Sequence, residues 1–182
     1  MKSIFYILFL TTCILQSVVM AQDTEIQAYE VIKKIDSVEI RFYPSATLVK
    51  TSGGNNFGKL FQYISGNNAS EEKIAMTAPV YMNENKSEMA FVMPLDVHQK
   101  GAPVPKGESV SLQVTEPRHV AAIRYSGYTN ATKETTYKKQ LLETLQANGV
   151  EALGSVEFLG YDSPYKFYNR RNEVLVEVVY DN

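Results

Sequence analysis

The sequence predicts an α+β fold in which two helices pack against an antiparallel sheet, and three observations carry that reading. Short runs alternate apolar and polar residues, as in Val38, Ile40 and Phe42 or Val174, Val176 and Val178, the period-two signature of strands with one buried face. Two longer stretches carry apolar residues at helical spacing: Phe57, Leu60, Phe61 and Ile64, then Tyr137, Leu141, Leu142 and Leu145. The order strand, strand, helix, strand, strand occurs twice, which implies an internal duplication of roughly seventy residues, too few copies for a solenoid.

In chain order, residues 22–27 are polar and form a loose lead-in. Tyr29 to Ile35 reads as a strand and Asp36-Ser37 as its turn. Val38 to Tyr43 is the next strand, with Val38, Ile40 and Phe42 inward and Glu39, Arg41 and Tyr43 outward. Pro44 stops it. Ala46 to Thr51 continues as a strand, and Ser52-Gly53-Gly54-Asn55-Asn56 is a loop that ends in helix-start residues. The helix of Phe57, Leu60, Phe61 and Ile64 ends at Gly66-Asn67-Asn68.

Lys73 to Met82 then reads as one strand with Ile74, Met76, Ala78, Val80 and Met82 on an apolar face. Methionine is flexible and polarizable, so such a face adapts to an irregular apolar surface. Pro79 interrupts the ladder and argues for an edge strand or a bulge. Asn83 to Lys86 is a hairpin turn into Glu88 to Met93. Residues 94–108 hold prolines and glycines and read as a long irregular connection. Ser109 to Glu116 and His119 to Tyr125 are strands around Pro117-Arg118, and a helix from Thr132 to Ala147 stops at Asn148-Gly149. Val156 to Tyr161 and Glu173 to Tyr180 close the chain.

The first 21 residues read as a signal peptide: Lys2, an apolar run from Ile4 to Leu15, and Val19-Met20-Ala21 before Gln22. The run is too short to span a bilayer comfortably and polar sequence follows it, so cleavage is expected rather than anchoring. Residues 22–182 then form one domain, exported to a periplasm or secreted; the short leader and the Ala21-Gln22 junction favour the periplasm. Leu10-Thr11-Thr12-Cys13 departs from a lipoprotein box at Thr12, and no lipid anchor is expected. Cys13 is the only cysteine, so the mature domain has no disulfide, thiol nucleophile or cysteine metal site. A net charge of −2 argues against nucleic acid or an anionic membrane as the main partner. Asn-x-Ser/Thr triplets at Asn68, Asn85 and Asn130 would matter only in a eukaryotic secretory route.

Catalytic patterns are absent: no phosphate loop, nucleophile elbow or zinc spacing occurs. His98 and His119 have no partner at ligand spacing, although a haem iron needs only one protein nitrogen. Asn169 to Asn172, with Arg170 and Arg171, reads either as an anion clamp or as a loop whose side chains satisfy backbone carbonyls. The 12 tyrosines offer amphipathic pocket linings in a chain without tryptophan; Tyr63, Tyr81, Tyr125, Tyr128, Tyr161 and Tyr168 lie nearest the helices and strands.

Several segments, taken together and in order, resemble the SOUL/haem-binding protein family. They are Tyr29-Glu30-Val31-Ile32, Val38-Glu39-Ile40-Arg41-Phe42-Tyr43-Pro44, Lys73-Ile74-Ala75-Met76-Thr77-Ala78-Pro79-Val80, Phe91-Val92-Met93-Pro94 and Asn169-Arg170-Arg171-Asn172-Glu173-Val174. The resemblance implies a distorted antiparallel β-barrel flanked by two α-helices and built from two pseudo-symmetric halves. It also implies an exported, non-enzymatic carrier or sequestering protein for haem or a related tetrapyrrole. The ring would lie on the first helix, on Phe57, Leu60, Phe61 and Ile64, with Lys59 and Lys73 meeting its propionates and Met76 lining the same pocket or acting as a weak ligand. Some members carry a histidine where this chain has Phe42, so the binding expected here is chiefly hydrophobic, by a monomer without a metal site of its own. The alternative is an effector-binding-like domain that binds or hydrolyses another small apolar or cationic ligand. It needs an inward acid with a raised pKa, for which Glu116, Glu157, Glu173 and Glu177 are candidates.

Overall fold

The computed structural model describes residues 24–180; the expected leader, with Cys13, lies outside them. The chain runs through β1 (Glu25–Ile26), β2 (Glu30–Ile35), β3 (Val38–Tyr43), β4 (Ala46–Ser52) and helix α1 (Asn56–Ile64). It continues with β5 (Thr77–Ala78), β6 (Val80–Asn83), β7 (Glu88–Val92), α2 (Leu95–Lys100) and β8 (Ser111–Thr115). β9 (Arg118–Ser126), α3 (Ala131–Ala147), β10 (Ala152–Gly160) and β11 (Arg171–Val178) complete it.

Nine strands form one curled sheet in the order β2-β3-β9-β11-β10-β6-β7-β4-β8, antiparallel throughout, and β1 pairs with β5 beside it. The duplication is visible in this order. Outward from the central pair, β6 is followed by β7, β4 and β8, and β10 by β11, β9 and β3. β4 leads into α1 and β9 into α3. The flanking strands are exchanged: β3 precedes β4 in sequence but pairs with β9, and β8 precedes β9 but pairs with β4. Each half therefore lends its first strand to the other, which binds the two halves into one sheet.

Both faces of the curl contribute to the core, the inner one over its middle. On the outer face Val38, Ile40, Ala121, Ile123, Val174 and Val176 meet Leu141 and Leu145 of α3. In the other half Val49, Phe91 and Met93 meet Leu60, Tyr63 and Ile64 of α1 and Val97 of α2. The inner face gathers Tyr43, Leu48, Tyr81, Val120, Leu159 and Leu175. The expected α+β barrel-like sheet with flanking helices is thus present, but the alternation of Val38 to Tyr43 has a different meaning. Arg41 and Tyr43, expected outward, are each 2% exposed, because curling turns the second face of the sheet into an interior.

Four local expectations also change. Lys73 to Met76 is not a strand, and β5 and β6 are separated by Pro79, whose peptide bond with Ala78 is cis. Proline has no N–H for a ladder, so the break falls there. β6 is not an edge; it lies between β10 and β7. Residues 94–108 include a short helix, α2, started by Pro94, with Asp96 in its first turn and Lys100 in its last. The lead-in includes β1, whose neighbour Gln27 donates its backbone N–H to Ala78 O at 2.8 Å. α3 behaves as expected: Asn130 caps it by accepting from Lys133 N at 2.9 Å.

Leu60 and Leu141 are each 0% exposed, whereas Phe61 is 51% exposed. Leu60→Ala and Leu141→Ala should each lower unfolding free energy by about 2–5 kcal/mol in urea titrations. Phe61→Ser should change it by no more than about 1 kcal/mol.

Candidate functional site

The inner face of α1 is built from Leu60, Tyr63 and Ile64, spaced to bury one stripe. Tyr63 can join it because its hydroxyl donates to Pro103 O at 2.7 Å. Its burial rotates the helix relative to the face expected from sequence. Phe57 and Phe61 therefore sit on the outer flank, 48% and 51% exposed, with their rings stacked at 6.1 Å. Phe57 is also braced edge-on against Phe91 at 5.3 Å. Two neighbouring aromatic rings half in solvent form an apolar platform on the helix.

The lysines lie off this platform: Lys59, two residues from each ring, falls on the opposite side of α1, and Lys73 follows its C-terminal end. Lys59 reaches back from α1 to donate to Ser52 O at 2.7 Å. Lys73 is exposed beyond the other end, where its neighbour Ile74 donates its N–H to Ile64 O at 2.8 Å. Asn68 holds that connection: it is 0% exposed, and its amide donates to Tyr63 O at 3.1 Å and Glu72 O at 2.7 Å. Asn68, read from sequence as part of the helix stop and as a glycosylation acceptor, has its buried amide committed to these bonds. Of the expected site residues, Phe57 and Phe61 thus share the outer side of α1, while Lys59 bonds back to Ser52 and Lys73 lies beyond the helix. Leu60 and Ile64 lie beneath it in the core, and Met76 is half-buried against the same cluster.

The interior of the curl is a second polar centre. Arg41 of β3 reaches Glu173 of β11 through Nη1 to Oε2 at 2.7 Å and Nη2 to Oε1 at 3.1 Å. Arg171 donates to Glu173 Oε1 at 2.8 Å, and the Tyr161 hydroxyl to Oε2 at 2.8 Å. Tyr29 covers the Arg41 guanidinium at 4.2 Å. Burial alone would raise the Glu173 carboxyl, but hydrogen bonds and charge from Arg41, and then Arg171, hold it below its ordinary value. Burial, with the Glu173 charge beside it, pushes the Tyr161 phenol up, so it stays a donor. The raised acid required by the alternative reading is not found at Glu173. Glu157 and Glu177 instead pair with Arg118 at 3.1 and 3.6 Å.

Arg170 donates to Ser163 O and Lys166 O, both at 2.7 Å, which is the loop-bracing reading rather than the anion clamp. That loop carries Tyr165, Phe167 and Tyr168 at 90%, 84% and 77% exposure. His119 lies between Phe42 and Tyr180, with ring centroids at 5.4 and 5.6 Å. His98 Nδ1 is 2.9 Å from Thr47 Oγ1. No group of three or more His, Cys, Asp or Glu suited to a metal ion occurs among the described residues. No helix among them is long and apolar enough to cross a membrane.

Residues 24–177 match the family model described as SOUL heme-binding protein. Heme-binding protein 2 of Homo sapiens is 31% identical over 157 residues, covering 76% of each chain. Heme-binding protein 1 of Mus musculus is 32% identical over 126 residues, covering 64% of this chain and 66%, just under two thirds, of that protein. Among solved structures, a hydrolase from Listeria innocua superposes with a TM-score of 0.55 at 11% identity, over 81% of this chain and 94% of that one. That likeness concerns the fold alone.

The Arg41–Glu173 pair makes stability depend on pH with a defined sign. Because Glu173 titrates lower in the folded chain than its ordinary 4.5, its contribution is present above that value and is lost as pH falls through the folded one. Glu173→Gln should lower stability at pH 7 by about 3–5 kcal/mol, since it leaves buried guanidinium charge unmatched. Its urea midpoint should then fall less steeply than that of the natural chain below about pH 4.5.

Proposed function

The chain belongs to the SOUL heme-binding protein family, and from that premise we propose that it binds haem or a related porphyrin reversibly on the outer side of α1. The observation that carries this reading is the stacked, half-exposed pair Phe57 and Phe61 on a helix whose other face is fully buried. A flat apolar ring stacks on such a platform, and its two propionates are met by ammonium groups. Lys73, exposed past the end of α1, would meet one, and Lys59 the other by leaving its bond to Ser52 O. The residues fit the group: apolar contact is plentiful, and Phe42, tilted against His119, provides no iron ligand. Haem supplies the iron chemistry when bound; the protein supplies a surface, two charges and partial exclusion of water.

Leu60 and Ile64 act from below by holding the helix rigid, and Met76 packs under the same cluster. A carrier or sequestering role follows from a surface platform without a strong axial ligand, since it releases its cargo readily. We read the protein as exported, through the leader of residues 1–21, as monomeric, and as non-enzymatic. Against a cationic ligand in the sheet interior stands the pairing of Glu173 with both Arg41 and Arg171, which leaves no charge for it to offer.

Haem titration of residues 22–182, followed at the Soret band, tests the proposal. The natural sequence should saturate, and Phe57→Ala/Phe61→Asp should weaken binding by about five- to 150-fold, the loss of two stacking contacts of roughly 0.5–1.5 kcal/mol each. Unchanged affinity in the double variant would remove the ring from α1 and turn attention to Tyr165, Phe167 and Tyr168.

A further inference from the structure

A cavity of about 590 Å³ opens at the end of the sheet where β1 passes α2, away from the exposed rings of α1. Its floor is apolar: Ala46, Val92 and Met93 are 7%, 4% and 3% exposed. Ile26 and Leu95 form facing walls, exposed at 49% and 57%. That volume lies within the range of small-molecule sites, roughly 300–1,000 Å³.

The walls are tied in place. Glu25 Oε1 accepts from Leu95 N at 2.9 Å, which links β1 to the start of α2. Gln27 donates its N–H to Ala78 O at 2.8 Å, and its side chain accepts from the buried Tyr81 hydroxyl at 2.6 Å. The segment carrying Ile26 is therefore pinned on both sides. The cavity belongs to the folded architecture and is not a gap beneath a loose strand.

One polar side chain inside it is oriented from behind. His98 lines the cavity, and its Nδ1 is 2.9 Å from the hydroxyl of Thr47, a residue only 4% exposed. Among the described residues the Thr47 hydroxyl has no other acceptor, so it donates to Nδ1, because a buried hydroxyl proton left without a partner is costly. The proton of the neutral imidazole then sits on Nε2, which has no protein partner among the described residues. His98 is thus fixed as a hydrogen-bond donor to whatever occupies the cavity. Glu25 and Asp96 stand at its edge and disfavour an anion.

The geometry points to a second ligand site that takes an uncharged, apolar molecule carrying one acceptor oxygen, such as a ketone or an ester, received by His98 Nε2–H. This is independent of porphyrin binding: the acidic edge repels propionates, and none of the α1 platform residues lines the cavity.

The chain has 2 histidines, so long-range ¹H–¹⁵N spectra of the full chain resolve both imidazoles, with His119 as the internal control. The free protein should show His98 as the Nε2–H tautomer. Titration with 2-acetylnaphthalene should move the His98 resonances saturably and leave His119 unchanged. 2-Ethylnaphthalene, which lacks the oxygen, should bind about five- to tenfold more weakly, the value of one hydrogen bond. The anion 2-naphthoate should bind more weakly than the ketone. His98→Ala, followed through the Leu95 and Val92 backbone amides, should make ketone and hydrocarbon equal, and His98→Gln, which keeps a donor, should restore part of the difference. The assignment is overturned if His98 carries its proton on Nδ1, if both histidines respond alike, if no probe saturates, or if naphthoate binds as well as the ketone. Each of these results can occur with haem binding intact.

Discussion

The structure depends on an ion pair that a sheet with one wet face could not hold. Arg41 and Glu173 lie on β3 and β11, two strands apart with β9 between them. On the inner face of β9 the residue between them is Ala122, registered with Glu39 on one side and Leu175 on the other. A side chain with a single methyl group leaves the guanidinium room to cross. Removing two charges from water costs several kcal/mol for each ion, so the pair persists only with further bonds. Arg171, Tyr161, Tyr43 and the ring of Tyr29 supply them. The pair cross-ties three strands from two halves that the exchange of β3 and β8 has already interlocked.

An interior closed by matched charges leaves the outer layer and the ends of the sheet to meet other molecules. There the pseudo-symmetry is broken. α3 turns Lys139, Gln140, Glu143 and Gln146 toward solvent, whereas α1, at the equivalent place, presents Phe57 and Phe61. Likewise α2, which follows β7, walls the cavity at its end of the sheet. The features to which function can be assigned lie where the second copy departs from the first. That is expected when a duplicated scaffold supplies stability and its differences supply sites.

The large periodic elements were legible because periodicity reports local burial directly. α3, β3, β9 and β11 follow their apolar spacing, and Asn130 marks the start of its helix through a bond spanning only three residues. Elements too short to show a period were not. α2 spans six residues and is stabilised by Val97 packing with Val49, Phe91 and Leu60, a contact made across the fold. Lys73 to Met76 has the composition of a strand but forms none, its place set by Ile64 and Asn68 at the end of α1. The platform residues were named from sequence, but their exposure was not. Tyr63 takes the inward position because Pro103, forty residues later, accepts its hydroxyl proton.

By itself the sequence determined the class of fold, the two halves, the family, and the residue types available on the first helix. Each of these is written in local spacing or in segments read along the chain. Only the tertiary structure decided which face of each element was interior. Alternation distinguishes two faces of a strand but cannot say that a sheet will curl until part of its second face becomes core. Arg41 looks like a surface charge in a one-dimensional pattern and Glu173 like one of four strand acids, and they become a buried pair only when positions 132 residues apart are brought together.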